Sequence, residues 1–288
     1  MFDRAKIVDE NFLLLIQNGN LPSSKYKLNL SDTNFSTEDL VSVFESQVIS
    51  RHIDLKARAL KNEGKCFYTI GSSGHEGNAV FGKVFQIQDI AFLHYRSAPL
   101  FIERSKKQNG TTPIYDLALS FMASSDDPIS GGRHKVIGSK ELNIPPQTST
   151  IASHLPKAVG TAFSIDHAKG LDISERCLAD ESIVICSFGD ASANHATALS
   201  AFNTASLITN QGGHVPIVFI CEDNGLGISV PTQANWIEEN FKNRNYLEYI
   251  KTDGLNLIDL FNKTLVAEQT CRSKRKPVFL HMKTIRLM

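Results

Sequence analysis

The chain is poor in cysteine. Its five cysteines (Cys66, Cys177, Cys186, Cys221 and Cys271) in 288 residues make an odd count with no Cys-x-x-Cys pair. That argues against a disulfide-stapled scaffold and for a reducing compartment, with the cytoplasm as the expected location. Long apolar runs are missing too. None reaches the roughly 20 residues that span a bilayer, so no membrane partner is expected. The opening residues, MFDRAKIVDENFLLLIQNG, carry Asp and Glu and lack a small-residue cleavage site, unlike a secretory leader. Neither sign of charge is in excess, with 30 Lys and Arg against 30 Asp and Glu. With no basic stripe interleaved with aromatics, nucleic acid is not an expected partner. A Gly-x-x-x-x-Gly-Lys-[Ser/Thr] loop is absent, which counts against a P-loop nucleotide enzyme. No internal repeat or low-complexity stretch is evident.

What is present is a mixed chain, 42% hydrophobic, long enough for one large core or two small ones. Residues 1–35 read as a short apolar helix and a polar linker, expected to pack on a partner or on the domain surface; 36–288 read as an α/β domain. Ser36-Thr37-Glu38-Asp39 is a capping box opening a helix through Asn62, with Gly64 as its terminator. Gly71 to Phe85 begins glycine-rich and continues as a helix. Ile90 to Leu93 reads as a short strand that delivers His94-Tyr95-Arg96 at its carboxyl end. Residues 124–148, rich in Ser, Asp, Gly and Pro, read as an active-site loop. A helix is expected over Ile151–His167, another over Leu257–Cys271, and a last strand over Val278–Ile285.

The most informative segment is Ser182–Thr232. An apolar, β-branched run ends in Gly189-Asp190, and a second, VPIVFIC, ends in Asp223-Asn224-Gly225. Between them Ala198, Leu199, Phe202, Ala205 and Ile208 recur at helical spacing. This is a βαβ unit with buried parallel strands, and it places Asp190 and Asn224 side by side at the carboxyl edge, where open α/β sheets bind ligands. A carboxylate and a carboxamide oxygen are hard ligands suited to Mg²⁺ or Ca²⁺, and Mg²⁺ typically completes its shell with water and substrate phosphates. A metal-bridged diphosphate site is one reading. The other is an ordinary βα turn with Asp and Asn as local caps.

Gly189-Asp190-Ala191 and Asp223-Asn224 resemble the two-part thiamin diphosphate motif. With GSSGHEGNAVFG, HYRSAPL, STIASHLPKAVGTAFS and ICEDNGLGISVPT, they extend the likeness from about Leu40 to the last residues. The chain resembles the alpha subunits of the thiamin diphosphate-dependent 2-oxo acid dehydrogenases, the decarboxylating first components of the pyruvate and branched-chain complexes. GISVPT is more similar to the branched-chain members.

The resemblance implies a three-layer α/β fold, a parallel sheet flanked by helices. It implies thiamin diphosphate with Mg²⁺ or Ca²⁺, the metal held by Asp190, the side chain of Asn224 and the carbonyl of Leu226. Tyr95 and Arg96 match the pair that grips the diphosphate, Ser149 and Ile151 match positions beside the cofactor rings, and Gly189, Ala191 and Ser192 match its backbone lining. The implied reaction is oxidative decarboxylation of a 2-oxo acid, branched-chain first and pyruvate second, with acyl transfer to the complex's lipoyl acyltransferase. The carboxylate that activates the cofactor belongs, in the family, to a beta subunit. A beta subunit or fused beta half, in an α2β2 assembly or its equivalent, is therefore implied.

Several positions depart from the pattern. Ala191 stands for the second motif Gly, Asp223 for the first Asn, and Leu226 for a common Tyr. Asp223 is unfavourable beside a diphosphate unless it points away. Gln211-Gly212-Gly213 reads as a surface insertion. The family's loop after the last strand, bearing a His and Ser residues, does not follow Met288, so a truncated chain or fragment is expected. An inactive homologue acting as a scaffold, or an acetoin-cleaving or transketolase-like relative, are the rival readings. Among His75, His94, His134 and His154, His94 is the best candidate acid or base, although lone histidines are more often structural. Arg133 and the 272–276 basic run read as solvated, and Asn203 as a local helix residue.

Overall fold

A computed structural model describes residues 3–23, 26, 29–133, 135–171, 173, 175 and 177–288; His134 lies outside them. In chain order the helices and strands are α1 (Arg4–Gln17), α2 (Thr37–Asn62), α3 (Ala79–Val84), β1 (Ile90–Phe92), α4 (Ala98–Ser105), α5 (Pro113–Phe121), α6 (His154–Gly170), β2 (Val184–Gly189), α7 (Ala196–Asn210), β3 (Ile217–Asp223), α8 (Trp236–Phe241), β4 (Glu248–Asp253), α9 (Leu257–Lys274) and β5 (Val278–Lys283). The strands form one five-stranded sheet in the order β1-β2-β3-β5-β4. Every pairing is parallel.

Strand periodicity sorts the side chains into two cores. Ile183 and Ile185, Val218 and Ile220, and Val278, Leu280 and Met282 face a layer that includes buried residues of α3, α4 and α9. Their neighbours Val184, Cys186 and Phe188, Ile217, Phe219 and Cys221, and Phe279 face α6, α7 and α8. Both faces are covered, so the central strands read as unbroken apolar runs and the fold has three layers, as expected. On the second face an aromatic cluster fills the gap between sheet and helices. Phe202 meets Phe219 and Phe241 edge-on, each at 5.0 Å, and Phe241 stacks on Phe279 at 4.1 Å.

Several expected boundaries shift. The capping box of α2 forms, with Ser36 Oγ accepting from the Asp39 N–H. The helix expected from Ile151 begins instead at His154, because residues 150–153 form a turn in which Ala152 takes a φ of +62°. α9 runs to Lys274 rather than Cys271, and β5 stops at Lys283 rather than Ile285. The basic run after Cys271 is not merely solvated. Arg272 donates to both oxygens of buried Asp89, and Arg275 donates to Asp166.

The segment before α3 is set by close backbone crossings. Gly74 has φ +97°, and a Cβ there would lie 2.2 Å from the Ile285 carbonyl oxygen. The Leu287 N–H donates to the Ser73 carbonyl, and Thr284 Oγ1 donates to that of Gly74. The 71–78 turn is thus clamped against the chain that follows β5.

Candidate active site at the carboxyl edge of the sheet

Gly189 pairs in register with Glu222, so Asp190 and Asp223 leave neighbouring strands at one level and Asn224 lies one residue further. Their loops meet. Thr232 Oγ1 donates to Asp190 Oδ2. The loop from Gly225 folds back on itself through the Gly227 N–H to the Val230 carbonyl and the Thr232 N–H to the Gly225 carbonyl. Its tip leaves Ile228 85% and Val230 64% exposed, and Leu226 is 40% exposed.

The two acids at the strand ends have opposite environments. Burial raises the Asp190 carboxyl above its ordinary value and the Asp223 charge adds to this, while the Thr232 hydroxyl opposes it. For Asp223, burial works against ionisation, but hydrogen bonds from His281 and Lys283 hold it well below the usual carboxylate range. Those bonds are both 2.8 Å, and they turn the Asp223 side chain toward β5. The acid that looked unfavourable beside a diphosphate is thus neutralised by the neighbouring strand. Tyr249 completes the chain, 2.6 Å from His281 Nδ1.

From β1 come the other candidate groups. His94 is buried, with its backbone N–H donating to Ser187 Oγ at 2.8 Å. Neither ring nitrogen makes a hydrogen bond among the described residues. Burial, with the nearby His75 and Arg96, pushes its pKa well below the ordinary histidine value, so the ring is neutral. Gly189 admits it: a Cβ there would stand 3.4 Å from His94 Nε2. Arg96 is buried, donates to the Gly71 carbonyl at 2.6 Å and lies over the half-buried Tyr95 ring at 5.1 Å. Among the described residues no carboxylate lies within ion-pair distance of its guanidinium.

The remaining candidates are scattered around this edge. Ser192 is buried and Ala191 exposed in the short 3₁₀ turn 190–194. Ser149 is exposed in the turn before α6, and Ile151 packs partly against the core on that side. His154 is structural, its Nε2 bonded to the Ser187 carbonyl at 2.9 Å, and Arg133 and Asn203 are exposed. The surprise is a buried line below Asn224. Asn224 Nδ2 lies 2.9 Å from His75 Nε2, and His75 Nδ1 lies 2.6 Å from Glu222 Oε2. Its sequence signals were His75, a candidate acid or base, and an acid, Glu222, at the end of the apolar run IVFIC.

These residues test whether a metal and a diphosphate suit the site. Among the described residues Arg96 is a buried cation with no carboxylate in ion-pair range, feeling Glu222 only at a distance, and Asp190 is a buried carboxylate whose ionisation is opposed by burial and by the Asp223 charge. The donor set at the strand ends is oxygen, as hard divalent ions require. Among the described residues no group of three or more His, Cys, Asp or Glu is arranged to hold a metal. A cation here would therefore draw much of its shell from the diphosphate and water, and the fit is good.

Fold and site together define an α/β protein with its ligand groups at the carboxyl ends of parallel strands. The family model described as "Dehydrogenase E1 component" matches residues 45–288, and the chain belongs to that family. It is 26% identical over 263 residues to the 2-oxoisovalerate dehydrogenase subunit alpha, mitochondrial, of Caenorhabditis elegans, covering 89% of this chain and 56% of that protein. The Mus musculus protein of the same name is 25% identical over 261 residues, 89% of this chain and 54% of its own. The alpha 2 subunit of Arabidopsis thaliana is 24% identical over 281 residues, 96% and 54%. The chain spans about half the length of the curated relatives it matches. No helix among the described residues is long and apolar enough to cross a membrane.

Proposed function

We propose that this chain supplies the metal and diphosphate half of a thiamin diphosphate site in an enzyme that oxidatively decarboxylates a 2-oxo acid. The observation that carries the reading is the complementary pair on adjoining strand ends: among the described residues, buried Arg96 has no carboxylate, and buried Asp190 no basic side chain, within ion-pair distance. Asp190, the Asn224 side-chain oxygen and the Leu226 carbonyl would hold Mg²⁺ or Ca²⁺. Arg96, with Tyr95 beneath it, would take the diphosphate by its planar fork. Backbone of Gly189, Ala191 and Ser192 would line the same group, and Ser149 and Ile151 the rings. When bound, the cofactor supplies the electron sink for loss of CO₂, and the protein supplies position and field.

His94 would act as the proton-exchanging group at Nε2. Its neutral ring has both nitrogens uncommitted, beside the glycine that opens the edge. Names of the relatives support a branched-chain substrate such as 2-oxoisovalerate, with pyruvate or acetoin chemistry as the alternative. A beta-type partner, as subunit or fused half, would bring the activating carboxylate, and a lipoyl acyltransferase would receive the acyl group. The exposed Ile228 and Val230 at the loop tip beside the site suit burial against such a partner. The free thiols suit a reducing compartment, for which we propose the cytoplasm.

Calorimetric titration with thiamin diphosphate and Mg²⁺, with and without a beta partner, tests the reading. Metal-dependent binding is expected, with Asp190→Asn weakening it at least tenfold, the order of one lost charge-assisted ligand. No metal-dependent binding in either case would reject it. Turnover of 2-oxoisovalerate against pyruvate by the partnered protein then decides the substrate, and an absence of turnover with bound cofactor would favour the scaffold reading.

A further inference from the structure

We propose that His75, held by Glu222, is a positioning residue that presents the Asn224 side-chain oxygen to the cation. This rests on the cofactor reading above. The Leu226 N–H donates to Asn224 Oδ1 at 2.9 Å, so the amide oxygen faces the loop and Nδ2 faces the imidazole. A donor arriving at His75 Nε2 requires a bare nitrogen there. The ring proton therefore sits on Nδ1, which donates to Glu222 Oε2 at 2.6 Å. Asn78, itself fixed by the Leu100 N–H, donates to the same oxygen at 3.3 Å.

The amide plane of Asn224 is thus pinned from both ends. Its oxygen keeps a lone pair that Leu226 does not use. A group that sets the orientation of a metal ligand in this way tunes affinity without touching the metal. A purely adhesive role accounts poorly for the chemistry chosen. Glu222 and His75 are wholly buried, and Glu222 Oε1 makes no hydrogen bond among the described residues. An apolar pair would join the 71–78 turn to β3 without leaving a buried carboxylate oxygen unpaired.

The test titrates Mg²⁺ calorimetrically at saturating thiamin diphosphate, on the full chain assembled with its beta partner. His75→Leu removes both ring contacts, whereas His75→Gln keeps one acceptor for Asn224 and one donor for Glu222. The leucine variant should lose about 10- to 100-fold in Mg²⁺ affinity, the usual cost of removing a ligand's orienting group, and the glutamine variant should recover most of it. Unchanged affinity in the leucine variant, or glutamine no better than leucine, would overturn the inference while leaving the cofactor reading standing. A wild-type protein without metal-dependent binding would overturn both. Nitrogen NMR of the wild-type ring, assigned through His75→Gln, needs no folded leucine variant. A proton on Nδ1 and a bare Nε2 are expected. A proton on Nε2 would overturn the inference, because Asn224 would then have to turn its oxygen to the ring.

Discussion

Gly74 and Asp89 show how far single residues hold this molecule in register. Gly74 combines a left-handed backbone with a carbonyl where its Cβ would be. Gly74→Ala should cost about 3 kcal/mol or more, from strain plus overpacking, read as a fall in the calorimetric melting temperature; a melting temperature unchanged would refute the clamp. Asp89 is buried under Arg272, which meets it at 2.7 and 3.1 Å, and it accepts from the N–H groups of Gln86 and Ile183. Asp89→Ala should lower stability to urea by about 1–3 kcal/mol, because it leaves the buried Ile183 N–H unsatisfied and takes one of two carboxylates from Arg272, which keeps Glu268. Both residues were silent in the sequence, since their meaning depends on Ile285 and Arg272, each more than a hundred positions away. Asp190 and Asn224 were legible because each ends an apolar run. Thr232, and the His281 and Lys283 that neutralise Asp223, were not, because loops and a later strand deliver them; His75 stood out as a candidate acid or base, but its place beside Asn224 depends on the fold.

At the scale of elements, strong periodicity was read correctly and weak periodicity was missed. β2, α7 and β3 carry uninterrupted apolar patterns and emerged where the sequence placed them. β4, Glu248–Asp253, buries little beyond Thr252, and its polar edge-strand pattern gave no comparable signal. α4 and α5 open with prolines in their first turns and are short. The expected end of β5 failed because hydrogen bonding, not hydrophobicity, ends it: the Thr284 N–H turns to the Asp223 carbonyl. The aromatic cluster on the α7 face is the test of packing. Phe202 is fully buried and touches Phe188, Phe219, Phe241 and Phe279. Phe202→Ala should destabilise by about 3–5 kcal/mol, the range for a large cavity in a close-packed core. A loss below about 1 kcal/mol in chemical denaturation would mean that the cluster collapses around the gap.

For the whole molecule, buried titratable groups set the pH of greatest stability. Burial lowers the Lys135 and Lys107 ammonium groups from 10.5 to about 8. Lys135 is the more enclosed; the stem of Lys107 is exposed although its head bonds the Lys83 and Phe85 carbonyls. Above pH 8 the unfolded chain keeps these protons and the folded chain does not, so stability rises with pH. Burial raises the Cys186, Cys221 and Cys271 thiols above their ordinary 9.0. Above that pH the unfolded chain loses three protons that the folded chain retains, and stability falls. Urea midpoints should therefore peak near pH 9, and Lys135→Met should flatten the rise on the acid side; midpoints that fall steadily from pH 8 would contradict this. The order β1-β2-β3-β5-β4 also bears on biosynthesis. Among the described strands β4 pairs with β5 alone, yet it leaves the ribosome first. Until residue 283 has emerged, β3 and β4 are both left with a bare edge, so a nascent chain stalled in α9 is the species that most needs a chaperone.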